Sequence, residues 1–178
     1  MALERKQHFV EELKKQLGRV VSDARQAEVG AAEIAESVRA EARSREDAKS
    51  ALDSGRMASA HRERRERAKK EIETLIAFAN KGLQAFPANG KVGLGALVDV
   101  HIENLDAKDP DEASEERTLF LLPVGAGSEL EGPGGDGFIS VITPASPVGR
   151  ALMGAQVEDS FEITIGGVLR EWSVVDIG

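Results

Sequence analysis

The residues best placed by type and spacing to do chemistry lie in one basic run. From Arg56 to Lys70 there are seven basic residues and two acidic ones. The densest part reads His61-Arg62-Glu63-Arg64-Arg65-Glu66-Arg67-Ala68-Lys69-Lys70. On a helix, side chains three and four apart share a face, so Arg62, Arg65 and Lys69 stack their cations together. A row of fixed positive charge attracts a polyanion such as nucleic acid. The same residues make an ordinary solvated face if Glu63–Arg67 and Glu66–Lys70 pair at i, i+4. The residues alone leave both uses open.

Other chemistries drop out. There is no Cys, which excludes a disulfide framework, thiol catalysis and a cysteine zinc site. His8, His61 and His101 are dispersed, without paired metal-ligand spacing. Gly93-Leu94-Gly95 opens no helix and is not a dinucleotide fingerprint. The glycines of 132–137 read as a flexible loop rather than an anion-binding nest. Val148-Gly149-Arg150 offers no nucleophile–base pair. Ser146 can cap a short helix begun by Pro147 and ended by Gly154.

The elements that must carry these residues follow from a division of charge. The 178 residues have a net charge of −8. Residues 1–86 hold 18 Lys/Arg and 15 Asp/Glu, whereas residues 87–178 hold 5 and 16. All 6 Pro and 14 of the 18 Gly lie in the second part. A helical half therefore precedes a strand-and-turn half. Val10, Leu13, Leu17, Val20, Ala24, Ala27, Ala31, Ile34 and Val38 recur by threes and fours for about four heptads, a coiled-coil seam. The pattern lapses over Ser44–Gly55 and resumes with Met57, Ala60, Ala68, Ile72, Leu75 and Ala79, ending near Gly82. The simplest geometry is an antiparallel hairpin with its tip in 44–55 and arms on the order of 60 Å long. A parallel coiled-coil dimer or part of a bundle is the other solution, and a monomer is expected from the hairpin.

In the second half, Val98, Val100 and Ile102 alternate as a half-buried strand. Asn104–Glu116 reads as an exposed acidic loop, Thr118–Val124 as a strand, Gly125–Gly137 as a loop and Phe138–Ile142 as a strand. Phe161, Ile163 and Ile165 alternate before a Gly166-Gly167 turn, and Leu169–Ile177 closes the module. The expected organisation is a coiled-coil hairpin at 1–84, a linker at 85–95 and an α+β domain with an antiparallel sheet at 96–178. No apolar run approaches the ~20 residues that span a bilayer. The first residues lack the apolar core of a signal peptide. A cytoplasmic protein without membrane contact is the expectation.

The second half resembles the bacterial Gre-type transcription elongation factors, the GreA/GreB family. Ile139-Ser140 leads to Ser146-Pro147-Val148-Gly149-Arg150-Ala151-Leu152-Met153-Gly154. Val157-Glu158-Asp159, the Gly166-Gly167 turn and Glu171-Trp172-Ser173-Val174-Val175 follow. This is similar to the family pattern "ISxxSPIGRALLGxxVGD…PGG…YEIxxI". Gly95-Ala96-Leu97-Val98-Asp99-Val100 resembles the family's "GAxVxV". With the hairpin, the resemblance covers nearly the whole chain. It implies an FKBP-like domain without prolyl isomerase activity that grips the rim of the RNA polymerase secondary channel. It implies a hairpin that enters the channel, where tip carboxylates help hold a Mg²⁺ shared with the polymerase, and the polymerase itself cuts backtracked RNA. The factor then has no active site of its own.

The tip departs from that pattern. The family reads "EAR..GDLKENAEY", with two acids three residues apart. Here Glu41-Ala42-Arg43-Ser44-Arg45 is followed by Glu46-Asp47-Ala48-Lys49-Ser50-Ala51-Leu52-Asp53. Asp47 falls on the first acid and Lys49 on the Lys. Ser50 stands where the second acid belongs, and Glu46 replaces the Gly. A hydroxyl is a weak Mg²⁺ partner. Glu46, Asp47 and Asp53 are the candidate tip acids, and a nonhelical tip is needed to bring Glu46 or Asp53 beside Asp47. Two outcomes follow: modulation of backtracked complexes with some cleavage, or a non-cleaving competitor in the channel. Under the resemblance, Arg62, Arg64, Arg65, Arg67, Lys69 and Lys70 are candidates for phosphate contacts to nascent or backtracked RNA. Ser146 and Pro147 match a segment near the polymerase contact. An unrelated coiled-coil interaction protein is the alternative of another class.

Overall fold

The computed structural model describes residues 2–87, 89–104, 114–135 and 137–178. The chain divides into two compact units, Met1–Leu13 with Thr74–Gly178, and Lys14–Glu73. Two long helices run through the first half, α1 over Ala2–Glu41 and α2 over Arg45–Asn80. No proline interrupts them. Past α2, Gly82 adopts φ +89° and its N–H donates to Ala79 O at 3.0 Å, which satisfies a terminal carbonyl.

The turn between the helices is confined to residues 42–44, so nearly all of the expected tip at 44–55 is helix. The second unit differs from a heptad reading in a further way. In α1 the buried residues Ala24 and Ala35 lie 11 residues apart, as do Leu17 and Glu28. That repeat, about 3.67 residues per turn, keeps a nearly straight helix facing its partner. The contact line therefore rotates past Ile34, which is 56% exposed, onto Ala35. In α2, Ala51, Ser54, Ala58, His61, Arg65, Ala68, Ile72 and Leu75 are buried or half-buried. Met57 and Ala60, expected on the seam, face solvent.

The other unit is built on a six-stranded sheet. Its strands are β1 (Leu97–Asn104), β2 (Ser114–Leu121), β3 (Glu129–Glu131), β4 (Phe138–Ile142), β5 (Ser160–Ile165) and β6 (Val168–Ile177). The order is β3-β4-β2-β1-β6-β5. The sheet is mixed, not antiparallel throughout, because β2 and β4 run parallel through Leu119–Leu121 and Ser140–Ile142. The β3 strand, pairing antiparallel with β4, lies between them in sequence and lets the chain return in the same direction. Residues 114–116, expected in the acidic loop, pair with Ile102 and its neighbours on β1. The rest of that loop, 105–113, lies outside the described residues. Gly166 and Gly167, both at positive φ, form the two-residue turn between β5 and β6.

The core lies on one face of this sheet. Val98, Val100, Ile102, Leu119, Leu121, Trp172 and Val174 pack with Val148 and Leu152 of the short helix α3 (Pro147–Leu152). The start of α1 belongs to the same unit. Phe9 meets Phe120 at 6.1 Å between ring centroids, and His8 Nε2 lies 3.1 Å from Glu131 O. Lys6 is fully buried, donates from Nζ to Gln84 O at 2.7 Å and lies 4.8 Å from the Phe86 ring. Burial pushes its ammonium down to about 8.

Candidate functional site

The tip of the hairpin is a capping box. Ser44 precedes α2 and its Oγ accepts the N–H of Asp47 at 3.1 Å. In return, Asp47 Oδ2 accepts the N–H of Arg43 at 3.1 Å and of Ser44 at 3.0 Å. The four N–H groups of a helix start lack intrahelical partners, and a Ser/Thr with an acid three residues on satisfies the turn reciprocally. The Arg43 N–H, then the Ser44 hydroxyl and N–H, hold the Asp47 carboxyl below its ordinary value. One carboxylate oxygen of Asp47 is thereby committed to the turn that shapes the tip.

The other two acids do not join it. Glu46 is already inside α2, and adjacent helical residues point about 100° apart. Asp53 lies on the Glu46 stripe with Ser50 between them, the two acids about 10 Å apart along the axis. Asp53 Oδ1 faces Arg56 Nη1 at 3.4 Å. The nonhelical tip that would bring these acids together is not formed. Among the described residues no group of three His, Asp or Glu side chains converges as metal ligands. Glu46, Asp47 and Asp53, as arranged, do not converge on one point.

The basic arm is divided by two acids. Arg62 Nε donates to Glu28 Oε1 at 2.8 Å, and Arg65 Nη1 donates to Glu28 Oε2. Glu28 stands on the inward-facing line of α1. The Arg62 hydrogen bond, and then the charges of Arg65 and Arg62, hold its carboxyl below its ordinary value against the opposing effect of burial. On α2 itself, Glu66 Oε1 accepts from Lys69 at 3.1 Å and from Arg65 at 3.0 Å. The face formed by Arg62, Arg65 and Lys69 is present as the spacing predicts, but each of its cations meets a carboxylate. Arg64 and Arg67 are exposed and have no ion-pair partner among the described residues. Lys70 is also exposed. Glu63 and Arg67 are not joined.

On the sheet unit, Ser146 caps α3. Its Oγ accepts the Gly149 N–H at 3.0 Å and donates to Thr143 O at 2.8 Å, while Pro147 occupies the first turn. Gly149 is required there, since a Cβ would lie 2.0 Å from Thr143 O. These contacts explain the Ser146-Pro147-Val148-Gly149 string as one folding device: a cap, a preset φ, a core residue and a close approach.

Residues 87–178, which hold this device and the whole six-stranded sheet, match the family described as "Transcription elongation factor, GreA/GreB, C-term". The chain belongs to the GreA/GreB family. No curated protein matches it in sequence. Solved structures similar to this Gre-family chain include the GreA factor homolog 1 (Gfh1) protein of Thermus thermophilus. That structure has 20% identity over 96% of this chain and 95% of that one, with a TM-score of 0.35. Thermus aquaticus Gfh1 has 20% identity over 96% and 94%, with a TM-score of 0.33. The transcription elongation factor GreA/GreB from Nitrosomonas europaea has 20% identity over 52% and 63%, with a TM-score of 0.34. No helix of this Gre-family chain, among its described residues, is long and apolar enough to cross a membrane.

Two site residues escape a reading of the family pattern. Ser44 is visible in sequence as the start of Ser44-x-x-Asp47, the spacing of a capping box. Glu28 is visible only once α1 is read with an 11-residue repeat, which puts it on the inward line with Leu17.

Proposed function

We propose that this Gre-family chain binds core RNA polymerase through the secondary channel and modulates backtracked complexes without promoting transcript cleavage itself. The observation that carries the reading is the state of the tip. Asp47, the one acid at its family position, has an oxygen bound by two backbone N–H groups, and Ser50 stands in place of the second acid. Holding a second divalent ion beside a polymerase-bound one needs convergent carboxylates, because hard cations take oxygen ligands of high charge. A capped tip with a three-residue turn offers the channel a plug instead. The basic arm supplies fixed charge for RNA in the channel, where phosphate contacts position without reading sequence. The sheet unit, with Ser146 and Pro147 on its α3 loop, supplies the polymerase-binding head.

Binding and competition test this. The chain is mixed with purified core polymerase and resolved by gel filtration, then titrated against a cleavage-active Gre factor on stalled complexes. Co-elution with the polymerase and a dose-dependent fall in the active factor's cleavage are expected. Failure to co-elute, with no effect on the active factor, overturns the reading and favours a coiled-coil protein with other partners.

A further inference from the structure

We infer that Glu28 withholds Arg62 and Arg65 from polyanions, so that the surface of the second arm open to RNA phosphates is the outward stripe of Arg64 and Arg67. The inference rests on the RNA-facing role just proposed for this arm. Carboxylate and phosphate oxygens compete for the same guanidinium donors. Glu28 presents one oxygen to Arg62 and the other to Arg65, and so takes up a donor of each. The Glu28 side chain is only 11% exposed and that of Arg65 20%, which shields the pair from solvent and salt. A phosphate that displaced Glu28 would strand a carboxylate in a half-dry seam, a costly exchange. Arg62 is exposed, but the carboxylate beside it offsets its field. Glu66 does the same for Lys69. Arg64 and Arg67 stand one helical turn apart on a different stripe, and neither makes an ion pair with Glu63 or Glu71 beside them among the described residues. Their mutual repulsion is relieved when a phosphate lies between them.

The position of Glu28 makes this a built arrangement rather than a surface accident. Leu17 and Glu28 are one 11-residue repeat apart, so the same rotation that buries Leu17 turns Glu28 toward α2. An apolar residue there would leave both arginines free.

The test is a titration of a fluorescein-labelled single-stranded uridine oligonucleotide with the full chain, followed by anisotropy at several salt concentrations. The Arg64→Ala/Arg67→Ala variant weakens binding and flattens the salt slope by about 0.7 for each phosphate no longer neutralised. Arg62→Ala, a change at an exposed side chain, leaves affinity and slope as in the wild type. Glu28→Gln tightens binding roughly fivefold at low salt and steepens the slope. Glu28→Met does the same and places an apolar side chain in the seam, so it decides the matter if circular dichroism shows that Glu28→Gln has lost helicity. Three results overturn the inference: Arg62→Ala costs as much per side chain removed as Arg64→Ala/Arg67→Ala, a helical Glu28 variant binds no tighter than wild type, or no form binds the oligonucleotide. Co-elution with core polymerase is measured on the same proteins. Loss of co-elution with the titration results intact contradicts the proposed function and leaves the Glu28 clasp standing.

Discussion

Asp47 shows how one carboxylate can be claimed by folding before it is available to chemistry. Its Oδ2 closes the turn from α1 to α2, and Ser44 returns the hydrogen bond. Replacing Ser44 by Ala removes the cap and should cost the helix start about 1 kcal/mol. Hydrogen exchange at the Asp47 amide reads the loss, and unchanged protection there contradicts the cap. The pH sign follows from the lowered pKa of Asp47. Its contribution is complete above the ordinary carboxylate value and disappears as pH falls through the lower folded value. Protection of the Arg43 and Ser44 amides, relative to their intrinsic exchange rates, should therefore fall only under acid conditions.

Lys6 has the same pH sign from a different cause. Burial disfavours its charged form, so between about 8 and 10.5 the unfolded chain holds a proton that the folded chain has released. Stability contributed by this group rises with pH across that window and is flat below it. Melting temperatures of wild type and Lys6→Met, measured from pH 7 to 10, should differ in slope; parallel curves would show that Lys6 does not titrate in this range.

At the scale of elements, the division into a helical half and a strand-rich half was legible from Pro and Gly alone. The strands β1 and β5 were legible because Val98-x-Val100-x-Ile102 and Phe161-x-Ile163-x-Ile165 alternate, and β4 and β6 because their apolar runs follow glycine-bounded turns. The β3 strand was not, because three residues among glycines give no period. Nor was the start of β2, where Ser114–Glu116 are polar and become strand only by pairing with β1. The parallel pairing of β2 with β4 escaped because alternation looks the same in either direction. In the hairpin, heptad spacing located the helices and most of the α1 seam, with Ala27, Ala31 and Val38 half-buried, but it put Ile34 inward where Ala35 is buried instead. One substitution separates the rotations, and a second serves as its buried control. Leu13→Ala should cost ~2–5 kcal/mol, since Leu13 is buried under either. Ile34→Ala should change stability by less than ~0.5 kcal/mol if the 11-residue line is correct. Denaturant titrations followed by circular dichroism decide, and a large loss at Ile34 restores the heptad. In the head, Gly149→Ala should cost at least ~1–3 kcal/mol by overpacking against Thr143 O, read as a lowered melting temperature.

For the whole molecule, the uneven charge has a more definite use than the net −8 conveys. The second half of the chain is strongly acidic, whereas three of the seven cations in the basic run, Arg62, Arg65 and Lys69, meet Glu28 or Glu66. What the hairpin offers to a channel is then a capped tip, a narrow stripe of free arginines and no convergent acids. The candidate acids were all legible in the sequence, but their failure to meet was not, because it depends on α2 beginning at Arg45. The most direct test is transcript cleavage by purified polymerase in stalled, backtracked complexes, with and without the chain. Cleavage no faster than that of polymerase alone, with the chain bound, is the predicted result. Strong stimulation that Asp47→Ala abolishes would contradict it, because the tip would then hold its metal without the second acid.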